Sequence, residues 1–244
     1  MIISRTPFRV SFVGGGSDLP AFCDRQKGAV LSVGINKAMY VTLHPYFDPS
    51  QTLLRYSKVE LVDSLSRVEH PIFREAMSLC GIESGLEISS TADIPSGTGM
   101  GSSSAFTVGL LHVLHAHQNR FVSAAQLAEQ ASHLEINLLG EPIGRQDQYA
   151  AAFGGLNVIE FHAEGRVQVE PLTLKREVIS SLEDSLLLFY TGQQRQTRSV
   201  LADQSKNVLS DEARFESQGQ MVELVYQMRE ALYAESLSDF GALL

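Results

Sequence analysis

Cysteine is nearly absent, with only Cys23 and Cys80 in 244 residues. Two such residues build neither a disulfide framework nor a zinc cluster, and this usage fits a reducing compartment. Basic charge is also scarce. Lys and Arg number 19 against 28 Asp and Glu, a net charge of −9, which argues against a sequence-independent grip on nucleic acid or an anionic membrane. Any phosphate the chain binds must therefore be met locally, by a few placed groups. No apolar run approaches the roughly 18 residues of a membrane span. The opening, Met1 to Pro7, lacks the basic region, apolar core and cleavage site of a leader. The expectation is a soluble, cytoplasmic protein whose partners are small molecules, neither nucleic acid nor membrane. What is present is ordinary globular composition, 44% hydrophobic and 19% charged, in a chain long enough for one large domain or two smaller ones.

The first part of the chain reads as strands punctuated by glycine. Arg9, Ser11 and Val13 alternate with Val10 and Phe12 before Gly14, Gly15 and Gly16 end the run. From Lys37 to His44, Met39, Val41 and Leu43 share one face of an extended segment. Shorter strands are expected at 53–56, 86–90, 156–161 and 186–190. The middle switches to helical period: Phe106, Leu110, Val113 and Leu114 form an apolar stripe behind a serine-rich start at Ser102. Ser123 and Gln126 form a capping box, Leu127, Ala131, Leu134 and Leu138 continue one face, Gly140 stops that helix, and Pro142 starts the next. The tail is expected to be mostly helical, with Val222, Val225, Met228 and Leu232 as its clearest stripe.

Three places could carry chemistry. Pro95-Ser-Gly-Thr-Gly-Met-Gly-Ser-Ser-Ser-Ala105 alternates glycines just before a helix start, so its backbone N–H groups can cradle an anionic phosphate. It is neither a Walker A loop nor the dinucleotide fingerprint nor a nucleophile elbow; a flexible loop with a serine cap is the alternative. Glu135 and Asp147 stand on helices that meet near Gly140 and Pro142, and two such carboxylates can serve a magnesium ion and a base beside an activated hydroxyl. A solvated Glu135 and an Asp147 lying merely in a polar first turn would look the same. Arg9 followed by Gly14-Gly-Gly-Ser-Asp18 offers a cation for phosphate and a carboxylate for sugar hydroxyls, although Asp18 could equally bond its own turn. Arg195 and Arg198 could grip a substrate phosphate or sit solvated at a helix start. His112, His115 and His117 match no metal-ligand spacing and read as helix-surface or half-buried side chains.

Together, Arg5-Thr-Pro-Phe-Arg9 with the Gly-Gly-Gly-Ser-Asp18 turn, the loop 95–105, Glu135, and Gly144-Arg-Gln-Asp147-Gln resemble the GHMP small-molecule kinase superfamily over nearly the whole chain. Within it the likeness is greatest to sugar kinases acting on D-glycero-D-manno-heptose 7-phosphate, with fucose-type kinases as cousins. The resemblance implies ATP and Mg2+ as cofactors and a sugar phosphate as substrate. In it, Pro95, Gly97, Gly99, Met100, Gly101, Ser102, Ser103 and Ser104 would hold the nucleotide phosphates, and Ser103 and Glu135 the metal. Asp147 and Arg9 would be catalytic. Gly15, Gly16, Ser17, Asp18, Asp147 and Arg195 would meet the sugar phosphate. The reaction implied is transfer of the γ-phosphoryl to the anomeric hydroxyl, giving the 1,7-bisphosphate; another sugar 1-kinase or a catalytically incomplete sugar-phosphate binding module are the alternatives.

The sequence departs from the superfamily pattern in two ways. Arg9 stands where many members have lysine, and arginine keeps its proton, so charge stabilisation fits it better than proton relay. The chain runs to Phe240-Gly-Ala-Leu-Leu244 without a Gly-Ala-Gly-Gly-Gly type third motif. The expected fold is accordingly α+β in two domains: an N-terminal kinase domain over 1–172 with a mixed sheet and a left-handed crossover, and the start of a truncated ferredoxin-like domain over 173–244.

Overall fold

The computed structural model describes residues 1–192 and 197–244, with 197–203 described by their backbone alone. In chain order the elements are β1 (Ile2–Val13), α1 (Pro20–Cys23), β2 (Gly28–Pro45), β3 (Thr52–Arg55), β4 (Val59–Val62), α2 (Pro71–Leu79), β5 (Leu86–Ala92) and α3 (Ser102–His117). There follow α4 (Ala124–Ser132), α5 (Gln146–Phe153), β6 (Leu156–Phe161), β7 (Val167–Pro171), α6 (Arg176–Asp184), α7 (Thr197–Ser210), α8 (Glu212–Tyr233) and α9 (Leu237–Ala242). The architecture is a mixture of helices and mixed β-sheet. It divides into two compact units, one of residues 1–9, 34–142 and 147–154, the other of 10–33, 143–146 and 155–244. The expected boundary at 172/173 falls inside the second unit.

In the first unit the second half of β2 pairs antiparallel with β5, Val41 opposite Ser90 and Leu43 opposite Ile88. β5 lies parallel to β3, which pairs antiparallel with β4. The period-2 pattern decides which face is covered: Met39, Val41 and Leu43 are buried, whereas Tyr40, Thr42 and His44 are half-exposed. Against the covered face pack Phe73 and Met77 of α2 and Leu110, Leu111 and Leu114 of α3, each worth about 1.5–3 kcal/mol of transfer free energy when fully buried. α3 is apolar on more sides than a single stripe predicts, being buried at nearly every position from Ser104 to His115, as befits a helix inside a core. Gly109 lets it approach β1: a Cβ there would lie 2.7 Å from Thr6 Oγ1, and Ser4 Oγ donates to the Gly109 carbonyl at 2.9 Å. The Ser123–Gln126 capping box opens α4 as expected, and the helix continues through a π-helical stretch at His133–Leu138.

In the second unit the first half of β2 pairs antiparallel with β6, and β6 with β7. Phe22, Leu31, Val158, Val225, Met228 and Leu232 form its core. The stripe Val222, Val225, Met228, Leu232 read from the sequence is the buried face of α8.

Two expectations change. Pro142 does not start a helix; α5 begins at Gln146, because the Gln146 N–H, one of the donors a helix start leaves unsatisfied, is capped by Asp18 Oδ2 at 3.0 Å. Leu186–Tyr190 form no strand either: apolar β-formers need a neighbouring backbone to complete a ladder, and these residues pair with none of the described strands.

Candidate active site

The glycine loop ahead of α3 takes the shape its alternation predicts. Gly97, Gly99 and Gly101 have φ of +78°, +76° and +73°, a region where a side chain is strained. The loop thus curls, and Gly101 serves as the N-cap of α3, leaving the first N–H groups of that helix without intrahelical partners. Pro95 anchors one end, its carbonyl accepting from Thr98 Oγ1 at 3.2 Å.

Arg9 ties this loop to Asp147. Its backbone N–H donates to the Met100 carbonyl at 3.3 Å and its Nη1 to the Gly99 carbonyl at 2.7 Å. Its Nε donates to Asp147 Oδ1 at 2.8 Å, and Nη2 reaches the same oxygen at 2.6 Å. Both guanidinium contacts fall on Oδ1. Asp147 Oδ2 instead faces the loop, 3.5 Å from where a Cβ on Gly101 would stand. The ion pair is partly shielded, with side chains 14% and 27% exposed, so it is held more firmly than an open surface pair.

Glu135 occupies the π-helical stretch, a distortion frequent at functional sites. It is fully buried, and four donors surround it. Oε1 accepts from Ser103 Oγ at 2.6 Å and Thr107 Oγ1 at 3.1 Å, Oε2 from Ser104 Oγ at 2.8 Å and Gln148 Nε2 at 2.6 Å. Burial pushes the Glu135 carboxyl above its ordinary value, while these four hydrogen bonds pull the other way. The sequence reading missed Thr107 and Gln148, though both were within reach. Thr107 lies one helical turn beyond Ser103, on the same face, and Gln148 follows Asp147 directly. Ser103 is exposed, and with Glu135 it offers a hydroxyl and a carboxylate, the hard oxygen donors that suit a magnesium ion completed by phosphate oxygens and water. Among the described residues no group of three or more His, Cys, Asp or Glu is placed to hold a metal by itself.

The amino-terminal turn is held by neighbouring segments of its own unit. Ser17 is buried and reciprocally bonded to Ala29, donating to its carbonyl at 2.9 Å and accepting from its N–H at 3.0 Å. Gly16 is buried against Gln204, while Gly15 has open space where a Cβ would project. Asp18 is 4% exposed and bonds Gln146: Oδ2 accepts the backbone N–H and Oδ1 accepts Nε2, both at 3.0 Å. Arg195 lies outside the described residues, as does the side chain of Arg198. The histidines do not cluster on a metal; a ring nitrogen of buried His115 bonds Gln130. Burial pushes both thiols, Cys23 and Cys80, up to about 11, which suits packing better than nucleophilic chemistry.

Residues 56–155 match the model of the GHMP kinases N terminal domain. A D-glycero-alpha-D-manno-heptose 7-phosphate kinase of Campylobacter jejuni is 29% identical over 99% of this chain and 74% of its own length. A galactokinase of Pyrococcus furiosus is 32% identical over 87% of this chain and 61% of its own. Among solved structures, a D-glycero-D-manno-heptose 1-phosphate kinase from Bacteroides thetaiotaomicron superposes with a TM-score of 0.84 at 25% identity, across all of this chain and 77% of that one.

Proposed function

We propose, from the premise that this chain belongs to the GHMP kinases and carries their N-terminal domain at residues 56–155, that it is an ATP-dependent sugar kinase. Its reading as a kinase for D-glycero-D-manno-heptose 7-phosphate, acting on the anomeric hydroxyl to give the 1,7-bisphosphate, is supported by the C. jejuni relative, similar along 99% of the chain. One observation carries the chemistry: Arg9 holds the Asp147 carboxylate beside Gly101, where the glycine loop turns into α3. A phosphate cradle and a carboxylate base are thus fastened by one side chain.

In this reading the loop from Pro95 to Ser104 receives the nucleotide phosphates on backbone N–H groups and the start of α3. Ser103 and Glu135 would hold the magnesium ion, which supplies charge neutralisation on the phosphate oxygens when bound. Asp147 Oδ2, the oxygen not taken by Arg9, accepts the proton of the attacking sugar hydroxyl as its oxygen bonds the γ-phosphorus and the bond to ADP breaks. Arg9 fixes the carboxylate and adds positive charge beside the loop; it keeps its own proton throughout. Most of the rate enhancement then comes from placement and electrostatics rather than covalent chemistry. The domain reading, 1–172 and 173–244, belongs to the same proposal.

A neutral-sugar kinase is the second reading, favoured by the galactokinase at 32% identity. Titration calorimetry with a non-hydrolysable ATP analogue and magnesium, followed by a turnover panel of phosphorylated and free sugars, separates the two. Turnover confined to heptose 7-phosphate is expected. Turnover of free galactose or fucose alone overturns the phosphate assignment, and binding of a sugar phosphate without any turnover replaces the kinase with a binding module.

A further inference from the structure

Gln148 is completely buried, yet only half of its amide is used. Nε2 donates to Glu135 Oε2 at 2.6 Å, while Oε1 has no hydrogen-bond partner among the described residues. An unpartnered buried carbonyl is costly, so packing alone would favour an apolar side chain of the same length at this position. What the amide supplies is a donor to a buried carboxylate, where a donor is worth most. The two oxygens of Glu135 are not held alike. Oε2 is gripped by Gln148 from α5 and by Ser104 Oγ from α3 at 2.8 Å, and both side chains are buried. Oε1 accepts from Ser103, which is exposed, and from Thr107, whose single hydroxyl proton also faces the Ser103 carbonyl at 3.0 Å. Both donors to Oε1 therefore have somewhere else to turn, Ser103 to solvent and Thr107 to that carbonyl. Neither donor on Oε2 has another acceptor among the described residues.

Building on the kinase reading above, we propose that Gln148 is a positioning residue which holds Glu135 by Oε2 and so leaves Oε1, beside Ser103, as the oxygen given over to the divalent cation. The terminal torsion of a glutamate is broad. With Oε2 released, the carboxylate is free to rotate, and Oε1 no longer keeps its place beside the Ser103 hydroxyl. Outer partners of this kind orient metal-binding side chains, and removing one typically costs roughly 10- to 100-fold in metal affinity. Gln148 also follows Asp147 directly, so one turn of α5 carries both the base and the anchor of the metal carboxylate.

Gln148→Met is the test. Methionine keeps the length of the side chain, loses the donor and removes the unpartnered carbonyl; the last two effects oppose each other in stability, so Tm should move little. Mn2+ serves as a paramagnetic substitute for magnesium, titrated into the chain saturated with a non-hydrolysable ATP analogue and followed by water-proton relaxation. The dissociation constant for Mn2+ is expected to rise about 10- to 100-fold, while the analogue alone, in the presence of a chelator, binds as it does to wild type. In turnover, the magnesium concentration giving half the maximal rate should rise by a similar factor, and excess magnesium should restore kcat. A merely structural disturbance of α5 would instead displace Asp147 and lower kcat at every magnesium concentration. Gln148→Asn, which keeps the amide but withdraws it by one methylene, gives the same readings where Gln148→Met does not fold.

An unchanged dissociation constant for Mn2+ overturns the proposal, because the donor on Oε2 then does not place Oε1. It is overturned equally if binding of the metal-free analogue weakens by the same factor, or if kcat stays low in excess magnesium, since Gln148 then supports the loop or α5 as a whole. A wild-type chain that binds the analogue but takes up no Mn2+ overturns the metal assignment of Ser103 and Glu135 in the kinase reading, and the positioning role with it. Uptake of Mn2+ by wild type and variant alike sinks the positioning role only, so the two failures are distinguishable.

Discussion

At the scale of single residues, the site divides its two carboxylates by environment. Asp147 is partly exposed and ion-paired through one oxygen; Glu135 is fully buried among neutral donors. As the proposed proton acceptor, Asp147 should be replaceable by Asn only at a loss of about 10²-fold or more in turnover with nucleotide affinity nearly intact; unchanged turnover removes it from the mechanism. Glu135 makes a prediction about stability. Its raised pKa means the folded chain holds that proton more tightly than the unfolded chain. Its contribution to stability is therefore greatest at acid pH and is lost as pH rises from about the ordinary 4.5 through the folded value. Denaturant titrations at a series of pH values should show Glu135→Gln gaining on wild type over that window and levelling off above it. A difference independent of pH would show that burial does not set this carboxyl.

At the scale of elements, glycine decides where helices and strands can meet. Gly109 is the point where α3 touches β1: a methyl there would press on Thr6 Oγ1 and Ser4 Oγ. Gly109→Ala gains helix propensity of roughly 1 kcal/mol but is opposed by overpacking that costs about 1–3 kcal/mol. Net destabilisation is expected, read as a lower Tm by calorimetry, and an unchanged or higher Tm would mean β1 yields easily. The capping box, the β2 face and the α8 stripe were all legible in the sequence because each depends on neighbours a few residues apart. The start of α5 was not, since its cap, Asp18, lies 128 residues away along the chain.

At the scale of the molecule, one feature stands apart from both cores. Leu187, Leu188, Phe189 and Tyr190 are 81%, 67%, 77% and 64% exposed. Contiguous apolar patches of this kind drive association, and β-forming segments with free backbone donors and acceptors template pairing. Replacing Leu187 and Phe189 together by Lys should lower the light scattering of concentrated solutions and the fluorescence of an apolar dye. Unaltered scattering and dye binding would place the association surface elsewhere. No helix of the described residues is long and apolar enough to cross a membrane, consistent with the lack of long apolar runs in the sequence.

Local pattern alone determined the glycine loop, the strand before it, the helix behind it and the kinds of residue that could handle phosphate, because backbone conformation and periodicity are short-range properties. Only the tertiary structure decided which oxygen of Asp147 is free, that four donors surround Glu135, and that Asp18 turns to Gln146 rather than outward. Sequence spacing fixes which residues share a face of one element. The partner of a side chain depends on which distant segment folding brings within about 3 Å, and hydrogen bonding is lost a few tenths of an ångström beyond that reach.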